Sequence, residues 1–547
     1  MESIGIALIL LLAVVVSGTL ARLSPVAIPL PLVQIALGAA IAGVTGSKVA
    51  LEPHIFFLLF LPPLLFLDGW RIPKEGLFRD KGTILELALG LVVFTVLGVG
   101  LFIHWMIPSM PLAVAFALAA IVSPTDPIAV SAITARVPIP KRVMHILEGE
   151  SLLNDASGLV CMRFAVAAAL TGTFSLTSAF GTFLWLSLGG IVIGAGVTWV
   201  VMKVKDILTR KLGEEPGSQI LVSLLIPFGA YLLAEKLHCS GILAAVAAGI
   251  TMSYAEQSGH TLAATRVRRG AVWDMVQFTL NGVIFVLFGE QLPSIVAGAA
   301  QVVTDTGHHE PIWLVIYVVA INVALALLRL LWVWVSLRFT LYRAARKGRA
   351  IAKPNWRLVV AVSLAGVRGA ITLAGILTLP LAMYDGSPFP ARDLAIFLAA
   401  GVIIASLIAA SIGLPFLLSN LELPPEPSHQ REEDAARIAA AAAAIRMVER
   451  LQHELGEGRG DADLYADVGS RLMELYRQRI NGHSKTGDEA EQAQHLEQVE
   501  RRLRLAAVRA ERDEIYRLGR ARKLSDDLVR KLVREADLME ARYASPG

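Results

Sequence analysis

Three short polar runs lie inside long apolar stretches of the sequence. Ionisable groups there need a chemical reason, because each costs at least about 2.5–3.5 kcal/mol at the centre of a bilayer. The first run is Ser123-Pro124-Thr125-Asp126-Pro127. Pro124 and Pro127 lack the amide donors that a helix would use to satisfy the carbonyls of Ala120 and Ser123. The helix must open there, and freed carbonyls beside Thr125 and Asp126 make a small oxygen cage suited to a hard monovalent cation. A Pro-kinked helix with a capping Asp is the structural alternative.

The second run is Glu148-Gly149-Glu150-Ser151-Leu152-Leu153-Asn154-Asp155. On a helix Ser151 and Asp155 share one face, and Glu150 and Asn154 share the neighbouring one. Asp155 sits near the middle of its apolar stretch, where a carboxylate can hold a proton at neutral pH and release it when a cation arrives. A hydrogen-bonded knot between helices is the alternative, and Glu148, nearer the start of the stretch, reads as interfacial. The third run is Gly366-Val367-Arg368-Gly369-Ala370. Its glycines admit another backbone, and a guanidinium that cannot deprotonate demands a carboxylate, for which Glu150 is the expected partner because Asp155 must stay free to titrate. Arg163 and Arg329 also fall inside apolar stretches. Arg163 is read as neutralising a second acid, and Arg329 as snorkelling or pairing near its segment's end, with no function.

The elements that must position these groups follow from composition. The 547 residues are 55% hydrophobic and 18% charged, against about 25% charged in soluble domains. The charges are unevenly placed: residues 1–421 hold 28 Lys and Arg with 21 Asp and Glu, and the 126 residues that follow hold 22 and 25. A soluble enzyme core and disorder are excluded for the first part. Its basic excess belongs to membrane loops, not to a nucleic-acid surface. Cys161 and Cys239 alone indicate neither a disulfide framework nor a cysteine metal site.

About 20 apolar residues span a bilayer. Thirteen stretches qualify, at 3–21, 25–46, 54–70, 83–107, 111–134, 143–171, 180–202, 218–235, 238–255, 273–292, 311–337, 357–380 and 394–419. Alternate loops then hold 22 Lys and Arg against 3 in the other set, which places the N-terminus outside and the C-terminal tail in the cytoplasm. Thirteen segments fit two inverted six-helix halves and a linker. Phe66-Leu67-Asp68-Gly69 and Phe288-Gly289-Glu290 give a faint internal echo of that symmetry. The expected fold is therefore an all-α polytopic membrane protein with two inverted repeats and discontinuous helices, followed by a cytoplasmic helical domain.

The three runs, in this order, resemble the NhaP-type Na+/H+ antiporters of the monovalent cation:proton antiporter-1 family, which includes the animal sodium/proton exchangers. The resemblance covers about residues 1–421. It implies a homodimer in a bacterial inner membrane, a mobile ion-carrying core, crossed and partly unwound helices, and a part in pH homeostasis. It places the cation-binding carboxylate on Asp155 with Asn154 before it, supporting ligands on Thr125, Asp126 and Ser151, and a buried acid–Arg pair on Glu150 and Arg368. The Asn-Asp pair implies electroneutral one-for-one exchange of Na+ (or Li+) for H+. The cargo ions are substrates, and no cofactor is expected.

A K+/H+ exchanger with the same site is the main alternative. An ion channel would not need one buried, proton-competent Asp. A membrane-embedded enzyme is remote, because His54, His104, His145 and His238 have no spacing partner. The chain is thus expected to divide into an antiporter domain at 1–421, a Pro-rich linker at 422–430 and a tail at 431–547. The tail reads as four helices, at 431–456, 461–480, 488–519 and from Ser525 to about 543, with 481–487 as a loop. Either a solvated bundle or a regulatory domain fits it, and no motif names its ligand.

Overall fold

A computed structural model describes residues 2–24, 28–45, 53–72, 74, 81–126, 130, 141–172, 176–256, 262–305, 312–346, 355–419, 427–456, 462–484 and 488–543. The chain divides into two compact units, Met1–Leu421 and Glu422–Gly547. Among the described residues there is no strand, only one isolated bridge between Ala382 and Pro388.

The first unit contains α1 (Glu2–Leu23), α2 (Leu30–Thr45), α3 (Pro53–Arg71), α4 (Lys81–Met106), α5 (Leu112–Val122), α6 (Lys141–Thr171), α7 (Leu176–Leu212), α8 (Pro216–Lys236), α9 (Gly241–Glu256), α10 (Ala263–Asp305), α11 (Ile312–Arg346), α12 (Trp356–Leu364), α13 (Ala370–Leu377) and α14 (Arg392–Leu418). Each of the thirteen apolar stretches holds helix, the twelfth as the two short pieces α12 and α13. Among the described residues eight helices, α1, α4, α6, α7, α8, α10, α11 and α14, are long and apolar enough to cross a membrane; α2, α5 and α9 are shorter apolar helices. Their surfaces suit lipid: Leu8, Leu12 and Val15 of α1 are each 62% exposed. Several helices outrun the apolar stretch that announced them. α10 has 43 residues, because backbone hydrogen bonding extends beyond the apolar run, through good helix formers such as Arg266 and Arg268 ahead of it.

Packing sorts these helices into two bundles. α1–α3 and α7–α10 pack chiefly on one another, as do α4–α6 and α11–α14. Without water to drive association, close backbone approach does much of the work inside hydrocarbon. α2 and α10 illustrate it: Gly38 sits against the carbonyl of Val286 and Gly289 against that of Ile35, where a Cβ would collide. Polar stitches hold the ends of the same bundle. Trp70 Nε1 donates to Glu256 at 2.9 Å, and Arg269, fully buried, pairs with that carboxylate. In the second bundle α4 contains a π-helical turn at Glu86–Leu91, where it packs on α6.

The second unit contains α15 (Pro427–Gly456), α16 (Ala462–Ser484), α17 (Asp488–Arg520) and α18 (Asp526–Tyr543). α15 pairs with α16 and α17 with α18. Ser525 caps α18, its hydroxyl accepting from the amide of Leu528 at 3.4 Å. The expected loop at 481–487 begins later, because α16 runs on through Gly482 to Ser484. Its last turn is held by His483, whose Nδ1 lies 3.0 Å from Asp434 of α15. Residues 485–487, and 420–426 before α15, lie outside the described residues.

Candidate ion-binding site

The three polar runs converge where two interrupted helices meet. α5 stops at Val122, and residues 123–126 are non-helical, as the proline spacing requires. Pro127 lies outside the described residues; Pro124 packs its ring on Gly158 of α6. The α12–α13 interruption at 365–369 faces this one. The amide of Asp126 donates to the carbonyl of Val367 at 2.7 Å. Gly369 lies directly against the Asp126 carboxylate, at a distance that leaves no room for a Cβ. Backbone groups that lost their helical partners are thus satisfied across the crossing, which is the condition for non-helical chain at membrane depth.

Arg368 is 6% exposed and is used differently from expectation. Its Nε donates to the carbonyl of Val122 at 2.9 Å, and its Nη1 to the carbonyl of Gly366. Its amide is fixed by the Ser406 hydroxyl of α14 at 3.2 Å. The carbonyl ends of half-helices carry partial negative charge, so one guanidinium caps the C-terminal ends of both α5 and α12.

Glu150 therefore does not pair with Arg368. Its partner is Arg329 of α11: Nη1 lies 2.5 Å from Oε1 and Nη2 2.7 Å from Oε2. Both side chains are nearly inaccessible, at 1% and 3%. One planar fork engages both carboxylate oxygens, while Arg368 is turned to backbone carbonyls. Arg329 Nε also holds the Val362 carbonyl of α12 at 3.2 Å, so α6, α11 and α12 are tied together. An Arg eight residues inside its apolar stretch was the available signal; of snorkelling and pairing, the structure shows pairing, with Glu150 as the partner. Arg163, expected to meet a second acid, has Nη2 3.6 Å from Glu235 Oε1.

A polar chain runs from this pair to Asn154, the residue before Asp155. Thr125 Oγ1 donates to Glu150 Oε1 at 3.4 Å and accepts from Asn154 Nδ2 at 3.0 Å. Thr125, Ser151, Asn154 and Asp155 are all buried. Ser123 Oγ and Asn154 Oδ1 are buried with no hydrogen-bond partner among the described residues, which leaves oxygen ligands in the same place. The charged groups acting on Asp155 are two further carboxylates, Asp126 and Asp68. Asp68, on α3 of the other bundle, also feels Asp126 and Glu148. Sequence reading had used Asp68 only as half of a repeat echo. An acid inside an apolar stretch beside Gly69 was the one signal available for it. Among the described residues no group of three or more His, Cys, Asp or Glu is spaced for a resident metal; the oxygens here suit a passing monovalent ion.

Interrupted helices crossing inside one bundle, with carboxylates and oxygen ligands at the crossing, define a secondary ion transporter and not an enzyme. Residues 7–420 match the family described as sodium/hydrogen exchanger, transmembrane, and the chain belongs to that family. It is 41% identical over 99% of both chains to a protein of Escherichia coli K12 described as uncharacterized Na(+)/H(+) exchanger YjcE. It is 36% identical to a sodium, potassium, lithium and rubidium/H(+) antiporter of Bacillus subtilis, over 100% of this chain and 79% of that one. Its fold is similar to that of the sodium proton antiporter MjNhaP1 of Methanocaldococcus jannaschii, with a TM-score of 0.54 at 18% identity, covering 77% of this chain and 99% of the other.

Proposed function

We propose that the chain exchanges an alkali cation for a proton, one for one, by competition at Asp155. The observation that carries this reading is the contrast between two buried acids on adjacent faces of α6. Glu150 is neutralised by Arg329, whereas the charges acting on Asp155 are carboxylates. A buried carboxylate with no basic partner among the described residues must be neutralised by a small cation, a proton or an alkali ion. When it faces one side deprotonated, it takes a cation with oxygen ligands from Thr125, Asp126, Ser151 and Asn154, and Asp68 adds negative potential. The neutralised site then crosses, the cation leaves, and a proton replaces it.

Na+ is the cargo assigned first, with Li+ alongside it. The Bacillus subtilis relative is described as carrying sodium, potassium, lithium and rubidium, and that description supports K+ as a second cargo. The unit is read as a homodimer in the inner membrane. Its N-terminus is outside and its tail in the cytoplasm, on the strength of the loop charges. Reconstitution into proteoliposomes tests the reading: Na+, Li+ and K+ are added in turn, with a pH dye inside and voltage clamped or free. Cation-dependent proton movement that voltage does not alter is expected. Current through the protein without proton movement would replace this reading with that of a channel.

A further inference from the structure

Helix α6 carries Asp155 and, eight residues later, Arg163, about 12 Å further along its axis. Arg163 Nη2 lies 3.6 Å from Glu235 Oε1 in the last turn of α8. The same oxygen accepts from the amide of Gly241, 3.3 Å away, at the start of α9. The carboxylate is therefore held in place at a helix N-terminus, where the dipole favours negative charge. Arg163 reaches it from the other bundle.

That crossing sets the pair apart from three other ion pairs among the described residues. Arg71 with Asp274, Arg269 with Glu256 and Glu150 with Arg329 each stay inside one bundle. Along α6 the backbone approaches the other bundle chiefly at α3 and α9, and only sparsely. Beside the pair lies a cavity of about 840 Å³, walled by Leu159, Arg163 and Arg392 from one bundle and by Tyr231, Glu235 and Ile242 from the other. Leu159 is one helical turn from Asp155, so the cavity approaches the candidate site from the end away from the basic loops.

We propose that Arg163 and Glu235 form a latch between the two bundles, closed in one access state and open in the other, which sets the ratio of the two states. The proposal rests on the antiport reading, because alternating access moves one bundle against the other. An ion pair 3.6 Å long does not survive a displacement of several ångströms. Its side chains are 53% and 35% exposed, so solvent weakens it, and the state ratio should shift only about two- to fivefold on its removal. Shifting a two-state equilibrium lowers apparent affinity on the side the lost state faces and raises it on the other.

The test uses the full chain in proteoliposomes with Cys161→Ala and Cys239→Ala, which removes the only two cysteines. Arg163→Cys with Glu235→Cys on this background should be bridged by a bifunctional methanethiosulfonate reagent that spans the space of the two lost side chains, lose most cation-dependent proton flux, and recover it on reduction. The charge reversals Arg163→Glu and Glu235→Arg should each move the apparent cation KM of the two faces in opposite directions, about two- to fivefold, and the double reversal should return both towards the parent. Full flux from quantitatively cross-linked protein would overturn the latch. So would absence of cross-linking in a background that transports, or equal KM shifts on both faces. If the cysteine-free parent moves no protons with any alkali cation, the antiport reading fails first and the latch falls with it.

Discussion

Glu150 and Arg329 meet fork to fork, 179 residues apart in sequence, with two N–O distances of 2.5 and 2.7 Å in a site closed to solvent. Removing one partner strands a buried charge, which costs about 3–5 kcal/mol. Glu150→Ala or Arg329→Ala should therefore lower the melting temperature of the purified protein by several degrees. Glu150→Gln with Arg329→Gln should cost less than the two single changes added together. A double variant as unstable as that sum would show that the side chains act separately.

Asp155→Asn should abolish cation-dependent proton flux while the protein still inserts and purifies. It should also remove stabilisation by the cargo. A ligand at about 100 times its Kd stabilises the native state by about 2.7 kcal/mol. The parent should thus melt higher in saturating Na+ or Li+ than in an organic cation, and the variant should not. A retained thermal shift would move the binding role to the neighbouring carboxylates Asp126 and Asp68.

Proton and cation compete for one carboxylate, which sets the sign of the pH effect. As pH falls, the protonated fraction grows and the apparent cation KM rises, by up to about tenfold per unit once the proton dominates. Maximal rate at saturating cation should change far less. A loss of maximal rate at constant KM, measured by dye flux at several pH values, would mean that acid acts somewhere other than the binding step.

Gly369→Ala places a methyl group where the Asp126 carboxylate lies, and that neighbour is fixed by its own amide bond to Val367. Transport should fall at least about tenfold, the factor that corresponds to 1.4 kcal/mol, with insertion preserved. Alanine at Gly375, where a Cβ would meet only ordinary contacts with Leu159 and Ile121, serves as the matched control and should transport normally.

Arg368→Lys keeps the charge but replaces a rigid fork by a point donor that cannot serve the carbonyls of Val122 and Gly366 in the same geometry. Hydrogen bonds to charged groups are worth about 1.5–3 kcal/mol each. A transport loss of about tenfold or more is expected, together with a lower melting temperature. A fully active lysine variant would reduce Arg368 to a charge without direction.

Gly366-Val367-Arg368-Gly369 spoke only for a close backbone approach and its break followed from the family resemblance, whereas the break after Val122 was legible in the sequence because proline chemistry acts locally. The polar face of α6 was legible for the same reason, since positions four apart must share a side. Pairing across the bundle was not. Arg329 and Arg368 are both guanidinium groups in apolar helices, and only side-chain reach decides which one meets Glu150. Asp68 escaped because the other ionisable residue of its apolar stretch, His54, lies fourteen positions away at the opposite end and forms no pattern with it. Helix lengths such as that of α10 were underestimated because hydropathy measures the apolar layer, whereas helices end where capping and backbone hydrogen bonds end.

The hydrogen bond from the Asp126 amide to the Val367 carbonyl has a mechanical consequence. A residue tethered through its own backbone cannot be carried away from the opposite strand of the crossing by a hinge in its own chain. The two unwound segments must travel as one part, and the amide of Asp126, though outside any helix, should exchange with deuterium as slowly as those in the core of α6.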